Sequence, residues 1–142
     1  MSYNLKRFKE AQDRDYETAL AEVKAGCKTT HWMWYIFPQI TGLGTTDIAK
    51  HYAINDIKEA TDYLMDQDLG LRLTSISKVL LELETNDAYQ IFGSPDNLKL
   101  KSSMTLFYAV PATFPVFGQV LDKFFNGERD AKTLELLGIK PN

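Results

Sequence analysis

A chain of 142 residues, 44% hydrophobic and 25% charged, matches one soluble globular domain, expected to span residues 1–142 and able to bury roughly 70% of its unfolded surface without a disulfide or metal staple. A net charge of −3 argues against a nucleic-acid binder that relies on broad phosphate neutralisation, so no nucleic-acid partner is expected. Cys27 is the sole cysteine, which rules out an intramolecular disulfide and fits a reducing compartment. With no apolar leader, and no run near the roughly 20 apolar residues that a bilayer span needs, the expected location is cytoplasmic and no membrane partner is expected.

Helical periodicity runs along most of the sequence. Leu5, Phe8 and Ala11 begin an apolar stripe, Tyr16, Ala19, Leu20 and Val23 continue it, and Gly26 stands where a terminating glycine belongs. The 31–37 and 105–110 runs have β-type composition, and each fits a short strand. Helix is favoured for the first: Thr29 or Thr30 caps it, Pro38 ends it, and its all-round apolar character suits a central buried helix. Asn55 is placed to cap a helix carrying Ile57, Ala60 and Leu64. Asp68 is placed to cap another, with Leu69, Leu73, Ile76, Leu80 and Leu83 on one face. Ser94-Pro95-Asp96 combines a capping hydroxyl, a proline at the first helical position and an acid in the first turn, predicting a helix that stops before Pro111. Thr113-Phe114-Pro115 opens a further helix ending at Asn126-Gly127, and Asp130 caps a last one with Leu134 and Leu137. The fold class that follows is an all-α, multihelical single domain with at most a minor hairpin.

The 31–37 run holds both tryptophans and one of the two histidines of the chain. On a helix, His31, Trp34 and Tyr35 share a face with Lys28 one turn earlier, a surface suited to stacking on a planar ligand while imidazole and ammonium meet its polar edge. Each aromatic residue taken singly is equally good core material. His31 is the best candidate for general acid–base work, because a buried imidazole needs specific partners. Pro38 to Gly44 reads as a tight connector whose Gln39 amide is able to contact a ligand. Lys99 with Ser102 and Ser103, at three- and four-residue spacing, makes a candidate small-anion site; a solvated face whose hydroxyls bond back to the helix is the plain alternative. Arg72, between Leu71 and Leu73, either snorkels to solvent or aims its guanidinium at an internal acceptor, for which Asp96 is the preferred protein partner.

Other chemistries find little support. Two histidines and one cysteine are too few for a structural zinc site of the usual kind, so no metal is expected. Neither Gly-x-x-x-x-Gly-Lys-Ser/Thr nor Gly-x-Gly-x-x-Gly nor Gly-x-Ser-x-Gly occurs, so no cofactor is expected and no nucleophile stands out. Cys27 and His31 would meet on a helix as a thiol–imidazole pair, but that spacing is common. Glu82, Glu84 and Asp87 read as a solvated helix end, and Asp66 and Asp68 as turn and cap residues.

Several motifs in fixed order carry a family resemblance: Gly26-x-Lys28, His31-Trp32-Met33-Trp34-x-Ile36-Phe37-Pro38-Gln39, Gly42-Leu43-Gly44, Leu69-Gly70-x-Arg72-Leu73, and Phe92-Gly93-x-Pro95-Asp96 with Lys99-Leu100-x-Ser102-Ser103-Met104-Thr105-Leu106-Phe107. Over nearly its whole length the chain resembles the bacterial domain-of-unknown-function family often auto-labelled "calpastatin". The resemblance implies a small, mostly helical protein and no particular activity. A calpastatin-type inhibitor is a disordered segment poor in aromatics, whereas a chain with 12% aromatic residues in helical periodicity is expected to fold alone.

These observations combine into one expected pocket, bordered by Lys28, His31, Trp34, Gln39, Arg72, Lys99, Ser102 and Ser103. Its expected occupant is a small planar, anionic metabolite such as a nucleotide or an ADP-ribose-like compound, recognised there and, if the site is catalytic, turned over with His31 as the acid–base group. The alternative is a non-catalytic interaction module that exposes the Trp/Tyr segment or the 114–125 helix to a protein partner.

Overall fold

The structure, a computed structural model, describes residues 4–140. Nine helices follow one another in that range: α1 (Lys6–Lys24), α2 (Met33–Ile36), α3 (Asp47–His51), α4 (Ile57–Met65), α5 (Gln67–Glu82), α6 (Ala88–Phe92), α7 (Asp96–Tyr108), α8 (Pro115–Phe125) and α9 (Ala131–Leu137). Among the described residues, β pairing is confined to one isolated parallel bridge between Ile40 and Ile54. The fold is all-α, as the periodicity predicts.

Two helices organise the core. The α5 stripe of Leu69, Leu73, Ile76 and Leu80 is buried, and the helix packs on α1, α4 and α8; α7 packs on α8, α6, α4 and α9. Burial of large side chains from nearly every element, Phe8, Trp32, Phe37, Tyr63, Phe107 and Phe117 among them, supplies the apolar area that drives folding. Stop signals act where the sequence places them. Gly26, at φ 72°, ends α1 with its N–H donating to Val23 O and that of Cys27 to Glu22 O, the closing pattern that a left-handed residue permits. Asn126 and Gly138 end α8 and α9 in the same left-handed conformation.

The caps shift by a residue or two from expectation. Asp56, not Asn55, caps α4, and Asp66, not Asp68, caps α5, because these carboxylates accept from the backbone N–H groups of Glu59 and of Asp68 and Leu69. The Ser94 hydroxyl does not cap α7; Asn97 donates to Gly93 O, and Leu98 and Lys99 donate to Pro95 O. Asp87 is not a solvated helix end but the cap of α6, and Thr46 caps α3; neither short helix was assigned from the sequence.

The largest departure lies at residues 31–37, where α2 is a single turn. Glu22 on α1 explains it. Its carboxylate accepts from the N–H groups of Thr29 (2.8 Å) and Thr30 (3.0 Å), the Thr30 hydroxyl (2.7 Å) and the Trp32 indole (2.9 Å). Threonines placed to cap a helix at residue 31 instead wrap around that carboxylate, and regular helix begins only at Met33. Burial disfavours the charged form of Glu22, but these four donors outweigh it and bring the carboxyl down to about 2. The same wrapping buries Trp32 and leaves His31 in solvent. Cys27 is exposed too, and no helix joins it to His31, so the thiol–imidazole pair does not form.

Candidate functional site

A cleft of about 310 Å³ opens between the 39–46 loop, α3, the first half of α7 and the start of α9. Its position follows from local forces. The loop is tied to the segment after α3 by Thr41 N–H donating to Ile54 O and Ile54 N–H donating to Gln39 O, both at 2.8 Å. Gly44 lies so close to α3 that a Cβ would stand 2.5 Å from that of Ala49, and Gly42 holds φ at 102°, positions that favour glycine for close approach and left-handed backbone respectively.

Behind the cleft, Arg7 on α1 fixes the wall. Its guanidinium pairs with the fully buried Glu59 carboxylate at 3.1 Å and donates to His51 O and Ala53 O, each at 2.8 Å. Glu59 also accepts from the Asn55 backbone and side-chain amides. Tyr52 and Ala53, which line the cleft, are thereby held from behind. Tyr52 packs on Tyr35, with centroids 5.0 Å apart. Burial, reinforced by the hydrogen bond to Asp15, pushes the Tyr35 phenol up to about 12, and the same bond lowers the Asp15 carboxyl.

Trp34, Gln39, Lys99 and Ser102, four of the residues expected at the pocket, line this cleft. The Lys99 ammonium stands 5.4 Å from the centre of the Trp34 ring, within cation–π range. It also lies 3.4 Å from one oxygen of Asp96, whose other oxygen takes Lys28 at 2.9 Å. Lys28 is nearly buried, sits over Trp32 rather than Trp34, and stands outside the cleft lining, linked to it only by the Asp96 carboxylate it shares with Lys99. Ser102 donates back to Leu98 O at 3.2 Å, which uses its proton inside the helix.

The other three lie elsewhere. His31 is exposed, outside the lining, and its imidazole has no hydrogen-bond partner among the described residues. Ser103 is fully buried in the core, its hydroxyl without a partner there. Arg72 pairs at the α1–α5 interface with Asp13 at 2.9 Å and Gln12 at 3.4 Å, not with Asp96. The helix face that was to unite His31 with Trp34 does not exist, and the α7 helix turns Ser103 inward because neighbouring residues of a helix point about 100° apart.

Three features of the cleft were missed: Lys50 on α3, Lys132 on α9 and the threonine-rich loop through Thr46. Thr46-Asp47 carries a cap signal that could have revealed α3. Nothing local announces that Lys50 and Lys132 meet one cleft, since only tertiary packing brings α3, α7 and α9 together. Asp130, also in the wall, accepts from the Thr133 N–H and hydroxyl and so caps α9.

Among the described residues no group of three or more His, Cys, Asp or Glu side chains is arranged to hold a metal ion, and no helix is long and apolar enough to cross a membrane. Residues 2–137 match the model of a family described as protein of unknown function, DUF1810. The chain belongs to that family. Membership brings no named activity with it. The fold is similar to the crystal structure of the conserved hypothetical protein Rv1873 from Mycobacterium tuberculosis, with 39% identity, a TM-score of 0.94, and 97% of this chain and 99% of that one covered. No curated protein matches the chain.

Proposed function

We propose that this protein binds a small planar, anionic metabolite in the cleft between the 39–46 loop and α7. The observation that carries the reading is the meeting of the Trp34 ring and the Lys99 ammonium, 5.4 Å apart, in a cleft of about 310 Å³. A flat apolar face beside a cation suits a ring bearing negative charge, and a nucleotide or a related phosphosugar is the simplest such molecule. Lys50 and Lys132 add cationic groups from separate elements.

Binding, rather than turnover, is the reading offered. His31 stands outside the cleft, and the Asp130 carboxylate is engaged in capping. Burial of Trp32, Tyr35 and Phe37, and of Val116, Phe117, Val120 and Leu121 on α8, whose N-cap Phe114 is the large apolar side chain left exposed, favours this reading over a partner-binding face made by either segment, which would need it in solvent. A thermal-shift screen against nucleotides and phosphosugars tests it, because a ligand at 100 times its Kd adds about 2.7 kcal/mol of stability. The expected result is a raised midpoint that Trp34→Leu abolishes. No shift with any member of the screen overturns the proposal.

A further inference from the structure

We infer that the cleft divides its ligand between two ends: a terminal phosphate monoester lies against Lys50, Lys132 and the 41–46 loop, and a single ring lies at Trp34 and Lys99. This rests on the cleft being a ligand site and goes on to name the ligand's class and orientation. Three observations carry it.

The first is where uncommitted positive charge lies. Lys99 already shares the Asp96 carboxylate with Lys28. Lys50 has no ion pair among the described residues, and the Lys132 partner is Glu135 at 3.8 Å, with both side chains more than half exposed. Such a pair is worth little, so both ammoniums remain available to an anion.

The second is the donor set. In this largely exposed loop the backbone N–H groups of Gly42, Leu43, Gly44 and Thr45 and the hydroxyls of Thr41 and Thr45 find no protein acceptor among the described residues, which leaves them to water or to a ligand. All of these residues line the cleft. A phosphate monoester carries about −1.5 to −2 charge and three acceptor oxygens, which matches several neutral donors beside two cations better than a carboxylate does.

The third is size. A volume of about 310 Å³ sits at the small end of the roughly 300–1,000 Å³ that ligand pockets span. That space suits one ring and one phosphate, and the second phosphate and distal ribose of an ADP-ribose-like ligand would lie in solvent. The inference therefore favours a mononucleotide-like ligand over an ADP-ribose-like one.

Titration calorimetry at low ionic strength tests this with four probes: adenosine, adenosine monophosphate, ADP-ribose and inorganic phosphate. The monophosphate should bind at least about tenfold more tightly than adenosine, given charge-assisted hydrogen bonds at its phosphate. ADP-ribose should bind no more tightly than the monophosphate, and inorganic phosphate should compete with it. The double variant Lys50→Ala/Lys132→Ala changes two exposed side chains; it should lose that tenfold gain and keep the affinity for adenosine. Equal binding of adenosine and the monophosphate overturns the phosphate end and leaves the Trp34 reading standing. Binding of inorganic phosphate alone, lost in the double variant, upholds the phosphate end and overturns the planar-ring reading. Silence of all four probes overturns both.

Discussion

Lys28 and Lys99 hold opposite oxygens of one carboxylate, that of Asp96, at 2.9 and 3.4 Å, and each ammonium also stands over a tryptophan ring. Lys28 faces Trp32 in the core; Lys99 faces Trp34 in the cleft. Asp96 thus balances a nearly buried cation and positions an accessible one. Replacing it with Asn should leave Lys28 without its counter-charge and cost about 1.5–3 kcal/mol, as loss of a charged hydrogen bond does. Urea unfolding of Asp96→Asn, Lys28→Met and the double variant measures this. Strict additivity of the two single losses would show that the pair is not coupled.

Arg7 and Glu59 form the most buried ion pair among the described residues, at 8% and 0% side-chain exposure. Arg7→Met keeps the apolar stem but leaves a buried carboxylate unbalanced, so the expected loss is about 3–5 kcal/mol. Adding Glu59→Gln to Arg7→Met should restore part of it. A double variant as unstable as Arg7→Met would contradict the account. Since Arg7 also holds the carbonyls behind Tyr52 and Ala53, Arg7→Met should weaken any ligand-induced thermal shift as well.

Arg72→Met should behave differently. Its partner Asp13 is largely exposed and returns to water when the guanidinium goes, but the buried Gln12 amide oxygen loses its donor, so the loss should be about 1–3 kcal/mol. Because Arg72 stands outside the cleft, the ligand response should be unchanged. A lost response with normal stability would place Arg72 in the site after all.

Glu22 links the loop before α2 to acid stability. In the unfolded chain its carboxyl titrates near 4.5, and in the folded protein the donors around it lower that to about 2. The depressed value means that the charged form stabilises the fold. Its contribution is fully present above about pH 4.5 and disappears as pH falls towards 2. Glu22→Gln should therefore lower the unfolding midpoint at pH 6 and bring it close to that of the parent near pH 2. A gap between the two that is constant from pH 6 to pH 2 would show that the carboxylate charge is not what holds Thr29, Thr30 and Trp32.

How much of this was legible follows from the range of the forces involved. The long helices were readable because each carries its own stripe, cap or stop: the α5 leucines, Gly26, Pro115 and Asp130 all act within a turn or two. The 31–37 segment was misread because its conformation is set by Glu22, nine or more residues away on another helix, which overrides the local capping signal of the threonines. The cleft was half legible. Trp34, Gln39, Lys99 and Ser102 stood out by type and spacing, whereas Lys50 and Lys132 became recognisable only once α3 and α9 were packed beside α7. Ser103 and Arg72 stood out for the same reason as Lys99, yet a helix turn sends the first inward and α1 captures the second.

The two indole N–H groups offer the most direct test of the central claim. That of Trp32 donates to Glu22 at 2.9 Å in the core, while that of Trp34 has no acceptor among the described residues and its ring lines the cleft. In a two-dimensional ¹⁵N–¹H spectrum each gives its own indole peak, assigned through Trp34→Leu. Titration with adenosine monophosphate should move the Trp34 peak in a saturable way and leave the Trp32 peak near its starting position. A Trp34 peak that stays fixed through millimolar ligand would contradict the assignment of this cleft as a nucleotide-binding site.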